Sequence, residues 1–300
     1  MVEVPENFSM NPEQIAQMQQ PKTNPLARFM RQPAIYIKLP SNGNFWPQGM
    51  LDMPINGELP VLPMSTRDEI AVNTPDALMN GQAVVDMIQS CMPNIRSAWA
   101  IPSVDLDTIL IAIRIASYGE KMDYTSECPE CKNSESYEID LRPFLDLPVD
   151  ISGYNTPVEY KGMQIYLKPG DFETINLSNL ETFEQQRLVR MINDTNLDEA
   201  ERLVRFNRIF KTMTEYTVKN VSGSILKIVS PEGETVIDSE FIDDFVTNSE
   251  RQLYTVIRDK ITEINNGIPE KKVTTSCTEC EKQYDTPFTF DQANFFVFAS

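Results

Sequence analysis

The sequence predicts an α+β fold: a mostly helical body with small antiparallel hairpins and a split, zinc-ribbon-like module of four cysteines. Three observations carry that reading. Apolar residues recur at helical spacing through several long segments. Two Cys-x-x-Cys pairs each stand between short strand-forming runs. The 300 residues are 41% hydrophobic and 23% charged, an ordinary balance for a chain that buries a sizeable core.

Residues 1–34 read as a flexible N-terminal arm. Pro5, Pro12, Pro21, Pro25 and Pro33 interrupt any periodicity, and the segment is too poor in apolar residues to fold alone. Within it, Leu26, Phe29 and Met30 fall at i, i+3 and i+4, one apolar helical face. Pro25 and Pro33 limit such a helix to about two turns, too short to stand alone. Arg28 and Arg31 add positive charge, so these five residues are expected to dock an acidic partner. The alternative is that they fold back on the aromatic pair Phe45-Trp46.

Residues 35–146 form the next expected unit. Ala34–Pro40 is strand-like and closes on the turn residues Ser41-Asn42-Gly43-Asn44; Leu59–Met64 supplies a second strand, with Phe45-Trp46-Pro47 as its aromatic cover. Thr74 as N-cap and Pro75 at the first helical position open a helix with Leu78, Val84, Val85, Ile88 and Cys91 inward, stopped by Pro93. Ser103 is expected to cap a second helix running to Tyr118 and ended by Gly119, its apolar face Leu106, Ile109, Leu110, Ile113 and Ala116 or Ser117. Met122–Ser126 and Ser136–Ile139 are the arms of a hairpin around Cys128-Pro129-Glu130-Cys131, with Asn133 suited to a left-handed turn.

Residues 147–270 read as a mainly helical insertion. Helices are expected over Asn179–Asn193 and Leu197–Tyr216, the second with an inward stripe of Leu203, Phe206, Ile209, Phe210 and Met213. Ile225–Val229 and Thr235–Ile237 form a hairpin on Pro231-Glu232-Gly233. Ser239 N-caps a helix holding Phe241, Ile242 and Phe245, and Ser249–Asn265 follows with Leu253, Val256, Ile257, Ile261 and Ile264 inward. Residues 271–300 hold the second knuckle, with arms Lys272–Ser276 and Gln283–Phe290 around Cys277-Thr278-Glu279-Cys280, and an aromatic end.

Composition narrows function sharply. There is no histidine, which removes Ser-His-Asp and Cys-His relays and imidazole acid–base chemistry. Lys plus Arg total 26 against 44 Asp plus Glu, a formal charge of -18 that repels phosphate backbones and speaks against nucleic-acid binding. The apolar run Ile109–Ile113 stops at Arg114, far short of the ~20 residues of a bilayer span. Glu3 and Glu6 are unlike a leader peptide, and five cysteines in this setting suit a reducing cytoplasm. No glycine-rich phosphate loop appears, Asp243-Asp244 reads as a solvated face, and Ser224-x-x-Lys227 lies in a strand without partners. No small-molecule substrate is expected.

The cysteines are the chemistry-bearing constellation. Two residues between paired thiolates let one turn offer both to a single ion, and two such turns complete a tetrahedral site. Cys128, Cys131, Cys277 and Cys280 are therefore expected to hold one structural zinc per chain, although 145 residues separate the pairs. Four thiolates leave no open position for catalysis. A thioredoxin-like redox pair would open a helix instead, and free structural thiols are the other alternative. Cys91 sits on an apolar helix face and reads as core.

Several segments together resemble the T4-type baseplate hub subunit family of contractile-tailed bacteriophages. They are Asn24–Phe29, Ile35–Gly43, Leu62–Glu69, Leu110–Gly119 running into Cys128–Cys131, and Asp238–Phe245 followed by the second cysteine pair. The resemblance covers most of residues 24–146 and 235–300. It implies a non-enzymatic role in the tail baseplate, with other tail proteins such as hub or tape-measure components as partners. It also implies a place in the host cytoplasm during assembly and in the virion tail if the chain is retained. A tail-assembly chaperone that leaves the particle is the nearest alternative. A zinc-ribbon nucleic-acid module is disfavoured, because lysines and glutamates are mixed around both knuckles rather than forming a basic stripe.

Overall fold

The structure is a computed structural model that describes residues 25–74, 81–192, 199–267 and 271–288. The chain divides into two compact units, residues 1–32 and 33–300. In the first, the described residues form a single 3-10 turn, Ala27–Phe29, in place of the expected two-turn helix. The expected helix start at Pro75, together with Leu78 and Phe290, lies outside the described residues.

The second unit is α+β, with two hydrophobic cores. In the first core, β1 (Ile35–Ile37) pairs antiparallel with β2 (Leu59–Val61), burying Ile37, Leu59 and Val61. α1 (Thr66–Val72) follows at once. Sequence reading missed it, although Ser65 and Asp68 close a reciprocal capping box there. Thr74 lies beyond the end of α1, its hydroxyl donating to the Ile70 carbonyl. The described helix that follows, α2 (Gln82–Cys91), starts from Gly81 in the left-handed region and buries Val84, Val85, Ile88 and Cys91 as expected.

α3 (Ser103–Tyr118) is the centre of this core. Ser103 is already its first helical residue and Pro102 the cap. The helix is buried almost all round, with Ile111, Ala112 and Ile115 covered as well as the expected face. Of its buried polar side chains Asp105 is completely enclosed, and its carboxylate accepts from the Ser41 amide (2.8 Å), the Ser41 hydroxyl (2.5 Å) and the Trp46 indole N–H (2.8 Å). This network fixes the turn after β1 onto α3. The adjacent rings diverge: Trp46 packs on the first core, while Phe45 meets Tyr154 edge-on at 5.5 Å in the second.

β3 (Lys121–Glu127) and β4 (Ser134–Asp140) form a hairpin in register Glu127↔Ser134, followed by the short α4 (Arg142–Leu145). The chain then enters the second core. β5 (Val158–Tyr160), β6 (Met163–Leu167), β7 (Ile225–Val229) and β8 (Thr235–Val236) make an antiparallel sheet in sequence order. The β5–β6 hairpin stands where sequence reading expected mainly helix. Its two-residue turn, Lys161 (φ 49°) and Gly162 (φ 80°), has the doubly left-handed backbone that matches strand twist.

Between β6 and β7 run two long helices, α5 (Phe172–Ile192) and α6 (Glu199–Gly223). α7 (Ser239–Asn248) and α8 (Arg251–Gly267) cover the sheet with Ile242, Leu253, Ile257 and Ile264. Asp238, not Ser239, caps α7, accepting from the Glu240 amide at 2.9 Å. The expected inward stripe of α6 is also corrected: Ile209 is buried, but Leu203 and Phe210 are exposed. Phe241 is exposed as well. β9 (Lys272–Ser276) and β10 (Gln283–Pro287) then form the last hairpin, and Phe288 returns to the first core.

Candidate metal centre

The two cysteine turns are built alike. In the first, the Cys128 amide donates to the Asn133 carbonyl (2.8 Å) and the Lys132 amide to the Cys128 carbonyl (3.0 Å). In the second, Cys277 donates to Lys282 (3.0 Å) and Glu281 to Cys277 (2.9 Å). Each turn needs one left-handed residue directly after its second cysteine, Lys132 (φ 62°) and Glu281 (φ 58°). The left-handed position is thus Lys132 rather than the expected Asn133. Both knuckles accept an ordinary side chain there.

The turns meet. Cys128 Sγ lies 3.6 Å from Cys280 Sγ and Cys131 Sγ 3.5 Å from Cys277 Sγ, and all four sulfurs fall within 4.8 Å of one another. The first cysteine of each pair is buried and the second exposed. Tetrahedral zinc–thiolate bonds of ~2.3 Å set sulfurs about 3.8 Å apart, so the donor set fits such an ion.

The protonation pattern fits a cation too. The Cys131 and Glu130 amides directed at Cys128 pull its thiol down to about 7, against burial. The Asn133 amide pulls at Cys131, but burial and the Cys277, Cys280 and Cys128 thiols push it up to about 12. Cys280 is raised despite the Lys282 amide, chiefly by burial. Four thiols this close cannot all ionise unaided; a divalent cation removes that conflict.

Sequence reading found the four sulfurs but missed what clasps the hairpins together. Glu135 accepts from the Thr278 hydroxyl (2.8 Å) and amide (3.3 Å), and Glu130 pairs with Lys282 across the two turns. The Tyr124 hydroxyl donates to the Pro287 carbonyl at 2.8 Å. Phe288 stacks on Phe144 at 4.7 Å and meets Tyr124 edge-on at 5.7 Å, and Lys271 pairs with Asp107 on α3. Mixed charges near the knuckles were the available signal; the partner of each was not.

The remaining candidates stand apart. Cys91 is fully buried in the first core. Ser224 donates to the Asn220 carbonyl (2.8 Å), and Lys227 lies over the Tyr166 ring at 4.4 Å, so the two form no catalytic pair. In the N-terminal unit Leu26, Phe29 and Met30 are exposed, with Arg28 4.7 Å over the Phe29 ring, and Arg31 is half-buried. Among the described residues no helix is long and apolar enough to cross a membrane.

A family model described as T4 bacteriophage base plate protein matches residues 51–297. No curated protein and no solved structure matches the chain.

Proposed function

Because the chain belongs to the T4 bacteriophage base plate protein family, we propose that it is a non-enzymatic structural component of the baseplate hub, stapled by one zinc ion on Cys128, Cys131, Cys277 and Cys280. The family match over residues 51–297 carries the baseplate reading. The sulfur cluster supports the zinc, and the segments resembling hub subunits support the position. A closed four-thiolate site acts by joining chain segments, and here it would close a loop of nearly 150 residues.

Residues 147–270 act as an insertion on the zinc-bearing body. Two facts support this: the second core draws almost wholly on Ile151–Ile264, and Phe288 rejoins the first core afterwards. The partners are other baseplate and tail proteins, hub or tape-measure components among them. Leu26, Arg28, Phe29, Met30 and Arg31 provide one docking segment. The chain is made in the host cytoplasm and carried into the virion tail. Quantifying its peptides in purified particles tests this: fixed stoichiometry with known baseplate proteins is expected, whereas presence only in assembly intermediates replaces the structural role with a chaperone's. Deleting residues 1–33 should leave the melting temperature unchanged and abolish association with tail components. An unfolded product, or normal assembly, rejects the docking segment.

A further inference from the structure

Helices α5 and α6 form a hairpin whose outer part adds nothing to either core. At ~1.5 Å per residue they are about 31 and 38 Å long. Their core contributions sit at the base: Phe172 and Ile175 on α5, Val221 on α6. Farther out, α6 exposes Leu203 (61%), Val204 (69%) and Phe210 (58%). Exposed Arg205, Arg208 and Lys211 flank them. Residues 202–211 carry four basic side chains and no acidic one, in a chain of net charge -18.

A second surface has the opposite character. Residues 232–244, from the β7–β8 turn into α7, hold six carboxylates and no base. Ile237 (73%) and Phe241 (68%) stand exposed among them. Within the chain α7 packs beside the base of α6, where Ile237, Ser239 and Asp243 line one pocket with Lys219 and Ser222, yet Leu203, Val204, Phe210, Ile237 and Phe241 all stay exposed. Each surface combines apolar knobs with one sign of charge, which suits an interface better than a solvated face.

We infer that the basic, apolar face of α6 receives the acidic, apolar edge of α7 from a second copy of this chain. The contact joins two different surfaces, so repetition builds a ring or an open array rather than a two-fold dimer. This goes beyond the baseplate role and stands or falls separately from it.

Charge exchange on the full chain tests the inference by sedimentation velocity over a concentration series. Wild type should grow beyond a dimer as concentration rises. Arg205→Glu with Arg208→Glu cancels the positive charge of the α6 face, and Asp243→Lys with Asp244→Lys leaves that face basic while turning α7 itself from net -3 to net +1. Each double variant should stay monomeric, and an equimolar mixture should associate at least about tenfold more tightly than either alone. Phe241→Ser, which alters no charge, should also abolish association. All positions are exposed, so circular dichroism should report folded variants. A monomeric wild type, variants that associate as wild type does, or a mixture no better than its parts overturns the inference.

Discussion

Replacing Asp105 with Ala should destabilise the chain by about 3–5 kcal/mol, although the residue touches no candidate site. Asp105 and Ser41 are fully buried. The carboxylate accepts from the Ser41 amide, the Ser41 hydroxyl and the Trp46 indole at 2.5–2.8 Å. A buried donor left without a partner costs about 1–3 kcal/mol. Three such donors do not add fully, because the Ser41 hydroxyl can turn towards another acceptor. At roughly 2–4 °C per kcal/mol, the melting temperature should fall by about 6–20 °C. Urea unfolding should show the same loss, and Asp105→Asn, which keeps one acceptor oxygen, should fall between. An Ala variant within about 1 kcal/mol of wild type would refute the claim that this network fastens the turn after β1 to α3.

The same residue predicts a pH signature. Burial raises its carboxyl above the ordinary 3.8, and the hydrogen bonds from Ser41 and Trp46 offset this only in part. As pH rises past 3.8 the unfolded chain releases this proton first, so the folded state holds more protons in that window. The stability advantage of wild type over Asp105→Asn should therefore be greatest in acid and shrink as pH rises through the folded value; an advantage that grows with pH contradicts this. Phe288→Ala removes a ring that is 4% exposed and stacked on Phe144. It should cost about 3–5 kcal/mol in urea unfolding, and a loss below about 1 kcal/mol would show that β9 and β10 are held without it.

Much of this architecture was legible because single residues dictate it. Gly119 ended α3 with its left-handed backbone, and Val84, Val85, Ile88 and Cys91 marked the inner face of α2. The knuckles were visible because Cys-x-x-Cys is a local instruction. What escaped depended on longer-range geometry. Lys161-Gly162 is a local hairpin signal, but much of the cover for its flanking strands comes from α7 and α8, far along the chain. The stripe on α6 has helical spacing whether it faces a core or solvent, so periodicity assigned Leu203 and Phe210 to the wrong side. Asp238 and Ser239 are both competent caps, and the backbone chose the first. Nothing local announces that Glu135 reaches Thr278 or that Glu130 reaches Lys282, because those pairs exist only after the two hairpins meet.

The central claim is that Cys128, Cys131, Cys277 and Cys280 share one zinc ion and thereby join the two hairpins. Elemental analysis of the purified, folded chain after exhaustive dialysis tests it most directly. One zinc per chain is expected, lost when Cys128 or Cys277 is replaced by Ser. A fully folded chain without metal contradicts it.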